Sequence, residues 1–233
     1  MRRLAVFTAV MLIATMVWGC TAREALALTW EEFENLCRMA SAEEVETVLK
    51  QEGISANAVS EEGYSLLMVA AAVTPNPEII RSLVKLGADV NARDKEGKSA
   101  LMFAAADNTN PEIITALLKA GAGVDARTQK GYTSLMFAAE KNSNPEVIVA
   151  LLNAAALLNA GADVNAKRED GYTILMAAAA NNTNPEVIAV LLNAGADPKV
   201  TNRERMRAID YMEEYNQKLK NTDIYWKLND VSH

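Results

Sequence analysis

Four stretches of the chain repeat one apolar pattern: "GYSLLMVAAA" from Gly63, "GKSALMFAAA" from Gly97, "GYTSLMFAAE" from Gly131 and "GYTILMAAAA" from Gly171. Leu101, Met102, Ala104 and Ala105 show the spacing, which predicts a short helix with small residues where a neighbour packs close. A second apolar pattern follows each of these. Ile113, Ile114, Leu117 and Leu118 recur at helical spacing behind Asn110-Pro111-Glu112. Asn110 suits an N-cap, because its side-chain oxygen accepts an orphan backbone N–H. Pro111 fits the first helical position, and Glu112 favours the positive helix end. The trio returns at Asn76-Pro77-Glu78, Asn144-Pro145-Glu146 and Asn184-Pro185-Glu186. Gly121 then predicts a left-handed C-terminal cap, as do Gly87, Gly161 and Gly195. "ADVNA" and four polar residues connect to the next glycine.

The opening glycines lie 34, 34 and 40 residues apart. One more step of 34 reaches Arg205, where "RMRAIDYMEE" keeps the pattern without its glycine, and one step back reaches Thr29 in "TWEEFENLCRMA". A fixed period of this size marks stacked helix-turn-helix units that are stable only against their neighbours, with atypical ends. Both ends are atypical. The front has two capping boxes, Thr29 with Glu32 and Ser41 with Glu44. The back is charged, and Tyr211, Tyr225 and Trp226 are placed to seal the last interface. The expected organisation is an all-α solenoid: 1–27 export signal, 28–62 N-terminal cap, repeats at 63–96, 97–130, 131–170 and 171–204, and 205–233 C-terminal cap.

The interval of 40 comes from "LLNAAALLNAGADVNA", residues 151–166, where Leu-Leu-Asn-Ala occurs twice. Six extra residues turn a helix by about 600°, which is 120° short of two whole turns, so the copy cannot repeat the same face. The second helix of that unit is expected to be about 9 Å longer than its counterparts. Leu157, or else Leu152, should leave the buried face. A tandem copying slip tolerated by the fold is the economical reading, and a protrusion that adds to a binding surface is the alternative.

The string "DGYTILMAAAANNTNPEVIAVLLNAGADPK" resembles the ankyrin repeat, with its G-x-T-P-L-H, A-A, E-V-V-x-L-L and G-A-D-V-N-A segments. The resemblance covers about residues 29–220, and the extra residue in the Asn-Thr-Asn-Pro loop resembles a bacterial variant. Two departures stand out. Met68, Met102, Met136 and Met176 occupy the family's usual His position, so Met packing must replace a His-centred hydrogen-bond network. Leu66, Ala100, Ser134 and Ile174 stand at its Pro. The unit from Gly97 reads "GAGVDA" where others read "GADVNA", which looks like local drift. The resemblance implies a solenoid whose concave face, built from hairpin tips and first helices, binds another protein.

"MRRLAVFTAVMLIATMVWGC" has a basic start and an uncharged apolar run from Leu4 to Trp18, too short to span a bilayer comfortably, so it reads as an export signal. Two processing sites compete. Ala25-Leu26-Ala27 is an A-x-A site that would leave Leu28 first. Val17-Trp18-Gly19-Cys20 resembles a lipobox that would lipidate Cys20. The expected location is periplasmic or cell envelope, with lipid anchoring or secretion as alternatives. Membrane attachment is expected only through Cys20.

The net charge is −7, with nine acids and two bases in residues 28–62 and a nearly neutral remainder. No basic stripe is available for phosphates, so nucleic acid is not an expected partner. The single histidine is the last residue, His233, which removes imidazole general bases, triads and His-containing zinc sites from the folded body. Cys37 aligns with Ala71, Ala105 and Ala139 and reads as a small buried residue. The methionines lie one unit apart and read as core, not as a copper site. The chain is therefore expected to need no cofactor or metal, to have no enzymatic activity, and to be a monomer that binds a protein not identified by the sequence. The alternative is a lipid-anchored scaffold or spacer. The candidate partner-binding residues are the variable tips and helix ends: Arg93, Lys95, Arg127, Gln129, Lys167 and Arg168, the residues after the glycines (Tyr64, Lys98, Tyr132, Tyr172), and Asp107, Lys141 and Asn181, with Val73 and Glu140 beside them. Tyrosine there offers contact area with a polar handle.

Overall fold

A computed structural model describes residues 28–158 and 162–231, the side chains of 154–158 excepted. The export segment with Cys20 and Ala27, the cap at Gly161, the burial of Leu157 and Leu158, and His233 lie outside the described residues. Twelve helices occur among the described residues, in six consecutive pairs. They are α1 Trp30–Met39 with α2 Ala42–Gln51, α3 Leu66–Val73 with α4 Pro77–Lys85, and α5 Ala100–Asp107 with α6 Pro111–Lys119. Then come α7 Ser134–Lys141 with α8 Pro145–Leu158, α9 Ile174–Asn181 with α10 Pro185–Asn193, and α11 Ala208–Tyr215 with α12 Asp223–Val231. First helices pack on first helices (α1, α3, α5, α7, α9, α11), and second helices stack beside second helices. Two isolated antiparallel bridges, Val59 to Ser65 and Lys167 to Thr173, mark hairpin connections. The architecture is the all-α repeat solenoid that the spacing predicts.

Local chemistry starts and stops these helices where the sequence places the signals. Thr29 and Ser41 make capping boxes with Glu32 and Glu44. Asn76, Asn110 and Asn184 accept from the Glu78, Glu112 and Glu186 amides, with proline next in line. Gly87, Gly121 and Gly195 end their helices at φ of +94°, +94° and +91°. Arg205, at the place of the lost glycine, adopts φ +65° all the same, which costs a side-chain-bearing residue about 1–2 kcal/mol.

The core runs continuously between the two helix layers. Met68, Met102, Met136 and Met176 are all buried, and Cys37, Ala71, Ala105 and Ala139 form one column of small residues closed to solvent. The methionines also help to cap: the Ser65 and Thr173 amides donate to the sulfurs of Met68 and Met176 at 3.4 Å. The C-terminal seal differs from expectation. Tyr225 is buried and donates to Glu213 at 2.6 Å, but Trp226 is exposed. Adjacent helical residues point about 100° apart, so only one of the pair can face the core.

Of the two leucines either of which was expected to leave the buried face, Leu152 is the one whose side chain is described. Leu151 lies six residues after Pro145, as Leu191 follows Pro185, and both are buried. The first copy therefore keeps the regular register, and Leu152 is half-buried like Leu192 and is not displaced. The helix has 14 residues against 9 in α10, about 7.5 Å longer at 1.5 Å per residue. The Ala162 amide then donates to the Leu151 carbonyl at 3.4 Å, as the Ala196 amide does to Leu191 at 2.9 Å. Leu151 and Ala162, on either side of the extra residues, thus keep the pairing of Leu191 and Ala196, because the fixed proline start sets the register from the N-terminal side.

Candidate functional site

Each first helix uses one side for the core and turns the other away from the second helices. In 34-residue steps, that outward side carries Asn35, Val69, Phe103 and Phe137 in one column, and Met39, Val73, Asp107 and Lys141 in another. The hairpin tips line its edge. What holds these units in register was not anticipated from the sequence. Asn108, Asn142, Asn182 and Asn216 are buried polar residues in an otherwise apolar stack. Asn142 Nδ2 donates to the Ala105 carbonyl at 3.0 Å and the Asn108 carbonyl at 2.8 Å, while its Oδ1 accepts from the Asn144 amide at 3.0 Å. Asn108 and Asn182 repeat this on their own preceding units. A buried asparagine with all its groups satisfied fixes one register, because any slip leaves them unpaired. The signal was visible as the Asn three residues before the proline in "DNTNP", "KNSNP" and "NNTNP".

Several expected contact residues are engaged within the array. Arg93 Nη1 donates to the Gly97 carbonyl at 2.6 Å and the Arg127 carbonyl at 3.3 Å. Arg127 Nη1 does the same to the Gly131 and Lys167 carbonyls, at 3.3 and 2.8 Å. Gln129 Nε2 donates to the Lys95 carbonyl at 2.9 Å. These three side chains tie tip to tip. Lys98 is half-buried, pairs with Glu96 at 2.5 Å, and lies 6.0 Å from the Phe103 ring. The hydrogen bond to Glu96 raises the Lys98 pKa, and the same bond lowers that of Glu96.

The tyrosines divide into two groups. Tyr64 is at the edge of exposure, with its ring edge-on to Phe103 at 5.5 Å. Tyr132 stacks on Phe137 at 5.3 Å, and Tyr172 meets Tyr211 edge-on at 5.2 Å. Between them the Arg168 guanidinium lies 4.7 Å from the Tyr132 ring and 5.1 Å from the Tyr172 ring. It also donates to the Tyr132 hydroxyl and to Asp170, both at 2.8 Å. Burial, then the charge of Glu140 nearby, raises the pKa of Tyr132; burial, then Tyr132 and Glu140, raises that of Tyr172. The structure thus brings Tyr132, Arg168 and Tyr172 into one cluster. Asp107, Lys141 and Asn181 remain exposed at the C-terminal ends of successive first helices, and Lys95 and Lys167 are exposed at the tips. Phe103, Phe137 and the exposed Tyr215 belong to the face but were not singled out from sequence, and Tyr211 was expected only as a seal, although Phe103, Phe137 and Tyr211 share a position six residues after each repeat start.

Among the described residues no group of three or more His, Cys, Asp or Glu side chains is arranged to hold a metal. Cys37 is buried, and desolvation followed by the Glu34 charge pushes its thiol up to about 12, away from nucleophilic reactivity. No helix of the described residues is long and apolar enough to cross a membrane. No curated protein matches the chain. The family described as "Ankyrin repeats (3 copies)" matches three times in overlapping register, at residues 36–127, 67–160 and 101–202. Together these matches cover most of the stacked helix pairs, and the chain belongs to the ankyrin-repeat family.

Proposed function

We propose that this chain is an exported, non-catalytic module that binds another protein through its concave face, formed by the first helices and the hairpin tips. The observation that carries the reading is the side of the first helices that the second-helix layer leaves uncovered, with exposed, non-repeating residues (Asp107, Lys141, Asn181) at equivalent positions; in α9 Asn181 is the exposed residue of that side. Ankyrin repeats support a protein-protein interaction module. Rigid repeats with variable surface residues suit recognition, because the partner meets a preformed surface at little ordering cost. The apolar N-terminal run supports export to the periplasm or cell envelope, with processing after Ala27 or lipidation at Cys20.

The test is affinity capture from envelope extract, using the chain and a variant carrying Asp107→Arg, Lys141→Glu and Asn181→Arg. These exposed positions allow charge reversal without disturbing the core, and circular dichroism checks the fold. A protein retained by the first bait and lost from the second supports the concave face. Equal retention by both, or by neither, defeats the reading. The intact mass of the exported chain separates cleavage at Leu28 from a lipid on Cys20.

A further inference from the structure

We propose that the N-terminal half of this face docks a helical segment of another protein that carries apolar residues on one side and Lys or Arg on the other. The inference rests on the protein-binding reading above and names the chemistry of the partner. Its floor is Met39, Val73, Val69 and Phe103, with Tyr64 at the tip side. Met39 is 83% exposed at the end of α1. Val69, Val73 and Phe103 are half-buried, and Tyr64 is 36% exposed. A terminal cap of a repeat array is expected to present polar residues, so an exposed methionine continuous with a valine of the next unit departs from what capping requires. Apolar surface rimmed by polar residues is the mark of an interaction site.

The same columns change character further along. Met39 and Val73 give way to Asp107, Lys141 and Asn181. Phe137 lies under Tyr132, and the rings beyond it are held by Arg168. The exposed Met39 with Val69 and Val73 thus lies in the first two helix pairs, whereas the exposed Tyr215 of the last pair stacks on Tyr211.

Charge selects the partner. On α1, Glu31, Glu32 and Glu34 stand with one base, Arg38, which pairs with Glu34 at 2.7 Å. Glu61 and Glu62 are exposed at the adjoining tip, and Asp107 is exposed at the far edge of the floor. The nearby cations are Arg38, Arg93, Lys95 and Lys98, of which Arg38 and Lys98 pair with acids, and Glu31, Glu34, Glu61, Glu62, Glu96 and Asp107 outnumber them. The rim is acidic, so the complementary flank is basic. Spacing selects a helix: stacked first helices lie about 8–10 Å apart, and helical residues seven apart are separated by about 10.5 Å. Apolar residues at every seventh position would meet α1, α3 and α5 in turn.

The probe is a labelled 18-residue helical peptide with leucine on one face and lysine on the other, titrated against the full chain by fluorescence anisotropy. Companion peptides replace every lysine by glutamate or disperse the leucines around the helix. Met39→Glu with Val73→Glu is expected to weaken binding about tenfold, equivalent to about 1.4 kcal/mol. Met39→Glu alone, at a site too exposed to disturb packing, should weaken it about threefold. Lys119→Glu, exposed on α6 in the second-helix layer, and both companion peptides serve as controls: the variant should leave affinity unchanged, and neither companion should bind. The added glutamates separate docking from plain charge attraction, which would tighten binding. Unchanged or tighter binding by the double variant overturns the proposal, as does failure of the Leu/Lys peptide to bind. Loss on Lys119→Glu alone moves the contact to the second-helix layer and defeats both the inference and the concave-face reading. Insensitivity to all three substitutions overturns the inference while the concave-face reading stands.

Discussion

The seam between the repeats at 63–96 and 97–130 and the seam between those at 97–130 and 131–170 are built from nearly the same sequence, yet they are held differently. In the first, Asn91 works in both directions: its Nδ2 donates to the Gly121 carbonyl at 3.1 Å and its Oδ1 accepts from the Gly123 amide at 3.0 Å. Asn57 and Asn165 do the same at other seams. At the second seam the residue is Asp125, a carboxylate that can only accept, and it takes the Asp163 amide at 3.2 Å. The exchange that looked like drift in "GAGVDA" thus removes half of a clasp, next to the unit that carries the extra residues.

The tips differ in the same way. In the first seam the Gln129 amide donates to the Glu96 carbonyl at 3.1 Å, and at the 170/171 boundary the Arg203 amide donates to Asp170 at 2.9 Å. Among the described residues the second seam has no equivalent bond. A side chain at Gly97 would come within 3.2 Å of the Gln129 amide, whereas at Gly131 it would meet nothing nearer than the Arg168 Cγ at 3.6 Å and its Cα at 3.7 Å. Arg168 is what closes this wider approach. The equivalent residues Ser60, Asp94 and Asn202 accept backbone amides of their own turns. In the Arg168 turn that task passes to Asp170, which accepts from the Tyr172 amide at 3.0 Å, and the guanidinium is free to enter the space between two rings. A regular seam is fastened by backbone and asparagine amides; the altered one exchanges part of that for one stacked cation.

The sharpest way to break this comparison is to remove what both seams share. Asn142→Ala deletes two donated bonds and one accepted bond in the core, and should cost about 3 kcal/mol. A lower urea midpoint, with the largest rise in amide exchange around 105–108 and 142–144, is the expected result. Arg168→Thr restores the small hydroxyl found at Thr128 but removes the cation between the rings. It should cost about 2 kcal/mol, and Arg168→Lys should not recover it, because an ammonium cannot stack in a planar fork. Asn91→Asp imposes the altered connector on a regular seam and should cost about 1 kcal/mol. Asp125→Asn, its mirror, should leave the urea midpoint unchanged or raise it, because its acceptor function is kept and a donor is regained. Smallest of all, deletion of residues 153–158 joins Leu152 to Asn159 and restores the 34-residue spacing. Since Ala162 already bonds to the Leu151 carbonyl, the urea midpoint should move by no more than about 0.5 kcal/mol equivalent. A large loss on deletion would assign those residues a role in holding the seam.

The sequence by itself determined the period, the two-helix unit, the caps at Thr29, Ser41 and the Asn-Pro-Glu trios, and the core column of Cys37 and its alanines. Each depends on residues close together in the chain, or on a spacing that repeats, and local backbone chemistry is legible at that range. Tertiary structure decided which polar residues were available. Arg93, Arg127 and Gln129 look alike in sequence to the exposed Lys95 and Lys167, and only the approach of a neighbouring tip, 34 or 40 residues away, supplies the carbonyls that engage them. The same holds for Arg168, whose two aromatic partners sit on either side of it in space, and for Leu151, whose register came from counting forward from Pro145. It holds for Asn108, Asn142 and Asn182 as well. In sequence they are loop polar residues, and their burial depends on acceptors that only the stacked neighbour presents.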